Sequence, residues 1–210
     1  MTLPVVDPPD ARTGDATVAG VLLAAGTSSR FGGDNKLLAS VDGEPMVRRS
    51  ARTLLDAGLD RVLVVVGHEA DRVRAALADA PVEFVENADY ASGQASSVRA
   101  AVRALAGADG DDASVDAAVF ALGDMPYVDP GSVRALVAAY EAGAGSALAA
   151  GVRGERGNPV LFDSRHFPAL ADREGDAGGR AVLLDAEDAA VVETGDPGVR
   201  RDVDEPGDLS

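Results

Sequence analysis

Residues 18–36, VAGVLLAAGTSSRFGGDNK, join an apolar run directly to a loop of small and hydroxylated residues that carries two cations. The run at 18–23 is short and uniformly apolar, which predicts a strand buried on both faces, as in a parallel sheet covered by helices. The loop contains Gly26, Thr27, Ser28, Ser29, Gly32 and Gly33. Glycine lets the backbone approach a ligand closely, and successive N–H groups form a concavity that holds anions. Arg30 and Lys36 add charge for phosphate oxygens. The stretch therefore predicts a phosphate-binding loop after a central strand of an α/β domain. Two better-known loops are excluded. A Walker loop needs Gly-Lys-Ser/Thr, and here Leu37 follows Lys36; the dinucleotide pattern G-x-G-x-x-G fails at Ser28 and Phe31.

The charge pattern sharpens this reading. Eighteen of the 19 cations are Arg, and Lys36 is the sole Lys. A compact ammonium and a planar guanidinium are not interchangeable at a phosphate, which is a physical reason to keep Lys at one place. With 35 acidic residues the net charge is −16. That argues against nucleic acid or an anionic membrane as a partner, since both need a basic face. It fits adaptation to high salt, where screening lets a crowded acidic surface persist. The absence of Cys excludes disulfides and thiolate metal sites. No apolar run approaches the ~20 residues of a membrane span, so a soluble cytoplasmic protein is expected.

Residues 1–16 hold Pro4, Pro8 and Pro9 without periodicity and read as a flexible leader; residues 17–210 read as one domain. Further strands are expected at 61–66, 82–85, 117–122, 146–152 and 189–192, with helices between them. Pro45 suits the first turn of one helix, Ser96 or Ser97 is a candidate N-cap of another, and Asp129-Pro130 opens a third. Asp124 directly follows the strand at 117–122, where open α/β sheets bind their ligands. A carboxylate beside triphosphate oxygens invites Mg²⁺; the bland alternative is an Asp that turns the chain before Pro126. His68 and His166 read as structural.

The pattern L-A-A-G-x-S-x-R-x-G-x-x-x-K over residues 23–36 resembles the signature of nucleotidyltransferases, most of all the MocA-like molybdenum cofactor cytidylyltransferases within the MobA-like NTP transferase family. Four later stretches agree in order: Gly93-Gln94 with Ser97, Gly123-Asp124 with Pro126, Gly157-Asn158-Pro159 with 160–162, and Gly175-Asp176 with Gly178 and Arg180; the ending 202–209 resembles the family's terminal D-x-D. The resemblance implies a three-layer Rossmann-like α/β fold, that of nucleotide-diphospho-sugar transferases, with a mostly parallel central sheet. It implies nucleotide binding by Leu23, Ala24, Ala25, Gly26, Ser28, Lys36, Gly93, Gln94 and Ser97. Arg30, Lys36 and Asp124 would be catalytic, Asp124 and Asp204 would hold Mg²⁺, and Asn158, Pro159, Asp176, Gly178 and Arg180 would face the acceptor. On the residues alone, 93–97 could be only a helix start, and 202–204 only an acidic tail.

The expected reaction is CMP transfer from CTP to the phosphate of molybdopterin, with pyrophosphate released and a client molybdoenzyme as a partner. Within the resembled family L-A-A-G accompanies CTP and L-A-G-G accompanies GTP, so Ala25 points to CTP. The alternatives are GTP as donor, a sugar phosphate as acceptor, or a non-catalytic chaperone of the molybdenum cofactor. A nicotinamide-dependent oxidoreductase is disfavoured by the missing G-x-G-x-x-G.

Overall fold

A computed structural model describes residues 3–27, 31, 35–106, 115–175 and 178–209. Its framework is an eight-stranded sheet in which every pairing is parallel except those of one inserted strand. The strands are β1 (Val5–Val6), β2 (Val18–Ala24), β5 (Arg61–Val66), β6 (Glu83–Glu86), β7 (Ala117–Leu122), β8 (Ala147–Val152), β9 (Glu155–Asp163) and β10 (Ala189–Glu193), and their order across the sheet is β1-β10-β8-β9-β7-β2-β5-β6. A separate two-stranded ribbon pairs β3 (Ser40–Val41) with β4 (Glu44–Pro45).

The apolar runs become strands because both faces of the sheet are covered. Along β2, Val18, Leu22 and Ala24 pack on one side, while Ala19 and Val21 pack on the other. The first side meets α1 (Met46–Asp56), α2 (Ala70–Ala76) and α4 (Pro130–Glu141) through Leu54, Val73 and Leu136. The second meets α3 (Gln94–Leu105), α5 (Phe167–Ala171) and α6 (Arg180–Asp185) through Val98, Leu170 and Leu183. The three layers agree with the fold class expected from the sequence.

Some local expectations change. The α1 helix starts at Met46, with Pro45 one position earlier as its cap. Asp129 caps α4, accepting from the Gly131 N–H, with Pro130 in the first turn. Neither Ser96 nor Ser97 caps α3, because Gly93 holds that position with φ 102°. Both serines are instead buried and accept from the Asn87 side-chain amide at 2.8 and 3.0 Å.

The proline-rich opening, read as a leader, is laid along the domain. Val5 and Val6 extend the sheet beside β10, and Glu141 at the end of α4 accepts from Arg12, Gly14 and Ala16. Two valines are too short a run to stand out in a sequence. Sheet order reverses between β2 and β7: after β2 the chain adds β5 and β6 on one side, then crosses back to lay β7 on the other. Such a switch point opens a crevice at the carboxyl ends of the strands.

Candidate active site

Two cavities open at that reversal, and Leu23 from β2 and Leu122 from β7 line both. The first is a cleft of about 300 Å³. One wall is the turn after β2, with Ala25, Gly26 and Thr27; the other is the segment entering α3, with Tyr90, Gly93, Gln94 and Ser97. Lys36, Leu37 and Asp124 form its floor. Strand pairing fixes the first turn, and the His68 N–H donates to the Ala25 carbonyl across the neighbouring strand end. Asn87 organises the second wall. Besides its bonds to the serines, its side-chain oxygen accepts from the Asp89 N–H at 3.0 Å.

At the floor the chain brings three distant residues together. Lys36 lies in a single 3-10 turn, Lys36–Leu38, whose cap Asn35 accepts from the Leu37 N–H. Its ammonium donates to Asp124 Oδ2 at 2.7 Å, to Asp204 Oδ1 at 3.0 Å and to the Val203 carbonyl at 3.3 Å. The tail reaches this point because Val203 is fully buried beside Val41 and Met46, and its N–H donates to the Asp124 carbonyl at 2.9 Å. Burial works against the charge on Lys36, but Asp124 and Asp204 outweigh it and hold the ammonium above its ordinary pKa. Asp124 Oδ1 is buried with no hydrogen-bond partner among the described residues. An orphaned carboxylate oxygen of this kind needs an explanation, and a missing ion is one. Asp124 and Asp204 thus form a donor set that fits Mg²⁺, which takes one or two carboxylates together with phosphates and water. Among the described residues no group of three or more His, Cys, Asp or Glu forms a fuller cage.

The second cavity, about 380 Å³, lies on the other side of Gln94. Its wall is β9, where alternation turns Arg156, Asn158, Val160 and Phe162 to one face. Phe120, Val98, Leu170 and Arg180 complete it.

The expected site residues therefore separate. Leu23, Ala25, Gly26, Lys36, Gly93, Gln94, Ser97 and Asp124 line the first cleft, with Asp204 against Lys36. Asn158 and Arg180 line the second. The Ala24 side chain is buried in the core instead, since alternation along β2 turns it from the cleft. Pro159 packs beside Ser50, Thr53 and Met125, because it points opposite to Asn158. Gly178 lines neither cavity: at φ 48° it lies against Gln94, and a Cβ there would come within 2.5 Å of the Gln94 amide oxygen. Ser28, Arg30 and Asp176 lie outside the described residues. His68 is not in the cleft wall, and His166 bonds to Ser146 at the far, amino-terminal edge of β8. Sequence reading missed Arg156, Asn87 and Tyr90. The alternation from Asn158 back to Arg156 was the available signal for the first.

A family model described as the MobA-like NTP transferase domain matches residues 20–190. Among curated proteins, nicotine blue oxidoreductase of Paenarthrobacter nicotinovorans is 34% identical over 172 residues, 79% of this chain and 81% of its own length. The purine catabolism protein PucB of Bacillus subtilis is 33% identical over 199 residues, 89% and 91% of the two chains. A probable molybdenum cofactor guanylyltransferase of Haloferax mediterranei is 34% identical over 131 residues, 62% of this chain and 59% of its own. Among solved structures, Rv0371c of Mycobacterium tuberculosis in complex with manganese superposes with TM-score 0.72 at 25% identity, covering 91% and 95% of the two chains. A nucleotidyl transferase of Methanothermobacter superposes with TM-score 0.74 at 23% identity, covering 93% and 94%, which speaks for the fold.

Proposed function

The chain belongs to the MobA-like NTP transferase family and is a nucleotidyltransferase; on that premise we propose that it transfers CMP from CTP to the phosphate of molybdopterin, releasing pyrophosphate. The observation that carries this reading is the convergence of Lys36, Asp124 and Asp204 on the cleft floor at the carboxyl ends of β2 and β7. An oxygen of the acceptor phosphate forms the new bond to the α-phosphorus, and the bond from that phosphorus to pyrophosphate breaks. Transfer of this kind asks the protein mainly for positioning and charge stabilisation. The attacking phosphate is already anionic, so no protein base is required, in keeping with both histidines lying outside the cleft wall. The turn at Ala25, Gly26 and Thr27 takes the triphosphate, and Lys36, with Arg30, meets the charge that grows on pyrophosphate. Asp124 and Asp204 would hold Mg²⁺, which when bound neutralises triphosphate charge and aligns the attack. The orphaned Asp124 oxygen supports that assignment, as does manganese in the M. tuberculosis structure.

The acceptor belongs in the second cavity, which adjoins the first across Gln94. Ala25 in the cleft wall supports CTP as donor. The name of the H. mediterranei relative makes GTP the competing donor. Incubating the purified protein with Mg²⁺, each of the four ribonucleoside triphosphates and molybdopterin, and following pyrophosphate, tests the proposal. Release that needs both CTP and molybdopterin is expected. Release with GTP alone among the donors would reassign the base, release only with a sugar phosphate would reassign the acceptor, and molybdopterin binding without release would leave a chaperone. The P. nicotinovorans relative, by its name, adds one arm: titration with NADH and NADPH, where no binding is expected.

A further inference from the structure

Arg156 and Arg180 both line the second cavity, and neither has a carboxylate within ion-pair range among the described residues. Arg48, Arg49, Arg61 and Arg173 are matched with Asp or Glu, and Arg99 and Arg134, which line neither cavity, donate to backbone carbonyls; Arg156 and Arg180 differ in sharing one cavity. In a chain with 35 acidic residues, carboxylates are the cheapest partners to supply. Two guanidinium groups face one hollow instead, Arg156 partly buried in its wall and Arg180 exposed at its edge. Burial first, and then the neighbouring charge of Arg180, hold Arg156 below its ordinary value. Like charges gathered in a cavity raise the energy of the empty state, and that energy is recovered when an anion enters.

The rest of the wall defines the remainder of the ligand. Phe120, Val160, Phe162 and Leu170 line the same cavity and give it an apolar part beside the arginines. We infer that Arg156 and Arg180 form a fork for a phosphate monoester dianion whose apolar or ring-bearing body packs against Phe120 and Phe162. Two separate guanidinium groups suit a dianion better than a monoanion, because each can give paired N–H donors to different oxygens of one tetrahedral group. The inference rests on the placement of the acceptor in this cavity. It adds that acceptor choice is made by charge at Arg156, and that neutral alcohols are rejected because they leave the two cations unpaired.

Phenyl phosphate is the probe, titrated calorimetrically against the purified full-length protein beside benzoate and phenol. Saturable millimolar binding of phenyl phosphate is expected, with benzoate at least fivefold weaker and phenol undetected. Arg156→Gln and Arg180→Gln should each weaken phenyl phosphate at least tenfold, and Arg156→Lys should restore part of the loss. Lys36→Gln should leave it unchanged, and the Gln variants should bind CTP as the wild type does. Absence of saturable binding overturns the inference. So does binding that ignores both arginines, binding that follows Lys36, or benzoate binding as tightly as the phosphate. If cytidylyl transfer to molybdopterin is never seen yet phenyl phosphate depends on both arginines, the fork stands and the acceptor named above falls.

Discussion

The two cavities share Leu23, Gln94 and Leu122, yet they treat charge in opposite ways. In the cleft, the single lysine of the chain is held by two carboxylates, at 2.7 and 3.0 Å. In the neighbouring cavity, two arginines have no such partner among the described residues. The lysine is thus more than offset, and the three groups together carry a net negative charge before any ligand arrives, so a triphosphate must enter together with a compensating cation or displace the lysine from its partners. The second cavity carries its positive charge unspent. A metal-dependent donor site beside a cation-lined acceptor site is the division that transfer between two phosphates would require.

The largest effect should come from removing a carboxylate from the cleft floor. Asp124→Asn keeps the shape and a hydrogen-bond acceptor but deletes the charge that would hold a divalent ion. Loss of metal-assisted charge stabilisation is worth several kcal/mol, so kcat should fall about 10³-fold. Chelation with EDTA should have the same effect on the wild type and add nothing to the variant. Activity in Asp124→Asn within a factor of three of the wild type would remove the metal from the mechanism.

Lys36→Met comes next and separates two roles of one residue. Losing the ammonium should lower kcat/KM about 10²-fold, the size of a lost electrostatic contact to a leaving group. The same change removes the ammonium that bridges Asp124 and Asp204. Mn²⁺ binding without nucleotide, read by electron paramagnetic resonance, should therefore tighten by about tenfold, since a unit charge a few Å away contributes on the order of 1 kcal/mol or more even in partly hydrated sites. Weaker Mn²⁺ binding would mean that the lysine and the ion do not share these carboxylates.

Gly178→Ala acts at the wall between the cavities. The new methyl meets the Gln94 amide oxygen at 2.5 Å, and φ 48° disfavours any Cβ. Gln94 must turn away, and the backbone strain costs about 1 kcal/mol. The expected result is a rise of about three- to tenfold in KM for the acceptor, with a smaller change for the donor. Equal changes in both would show that the wall belongs to the nucleotide.

What the sequence revealed and what it hid follows the same division. Strands buried on both faces must be continuous apolar runs, so β2, β5, β7 and β8 are readable as such. The floor of the cleft is readable because a sole lysine, a carboxylate after a strand and a D-x-D ending are rare features in one chain. The second cavity is assembled from residues of β2, β7, β9, α3, α5 and α6, and no contiguous pattern marks it. Even so, period-two alternation along β9 ties Arg156 to Asn158 and sends Pro159 to the opposite side. The N-cap at Gly93 was hidden because Asn87, six residues earlier, draws Ser96 and Ser97 into its own hydrogen bonds.

The smallest effect on chemistry should come from the opening segment, which touches neither cavity. The Glu141 side chain is buried to 1% exposure and accepts from Arg12 and from the Gly14 and Ala16 N–H groups. The hydrogen bond from Arg12, helped by those backbone donors and opposed by burial, holds its carboxyl below the ordinary value. A carboxyl depressed by folding stabilises fully above its unfolded pKa of about 4.3 and loses that contribution as pH falls through the lower folded value. Glu141→Gln should therefore lower Tm by about 2–5 °C at pH 7, the shift expected for about 1 kcal/mol at this chain length. The difference from wild type should shrink steadily below pH 4. Hydrogen exchange should speed up at Val5, Val6 and Gly14, while KM for donor and acceptor stays within twofold. A change in either KM would mean that the opening segment communicates with the carboxyl ends of the strands, and the contrast between the two cavities would then have to include it.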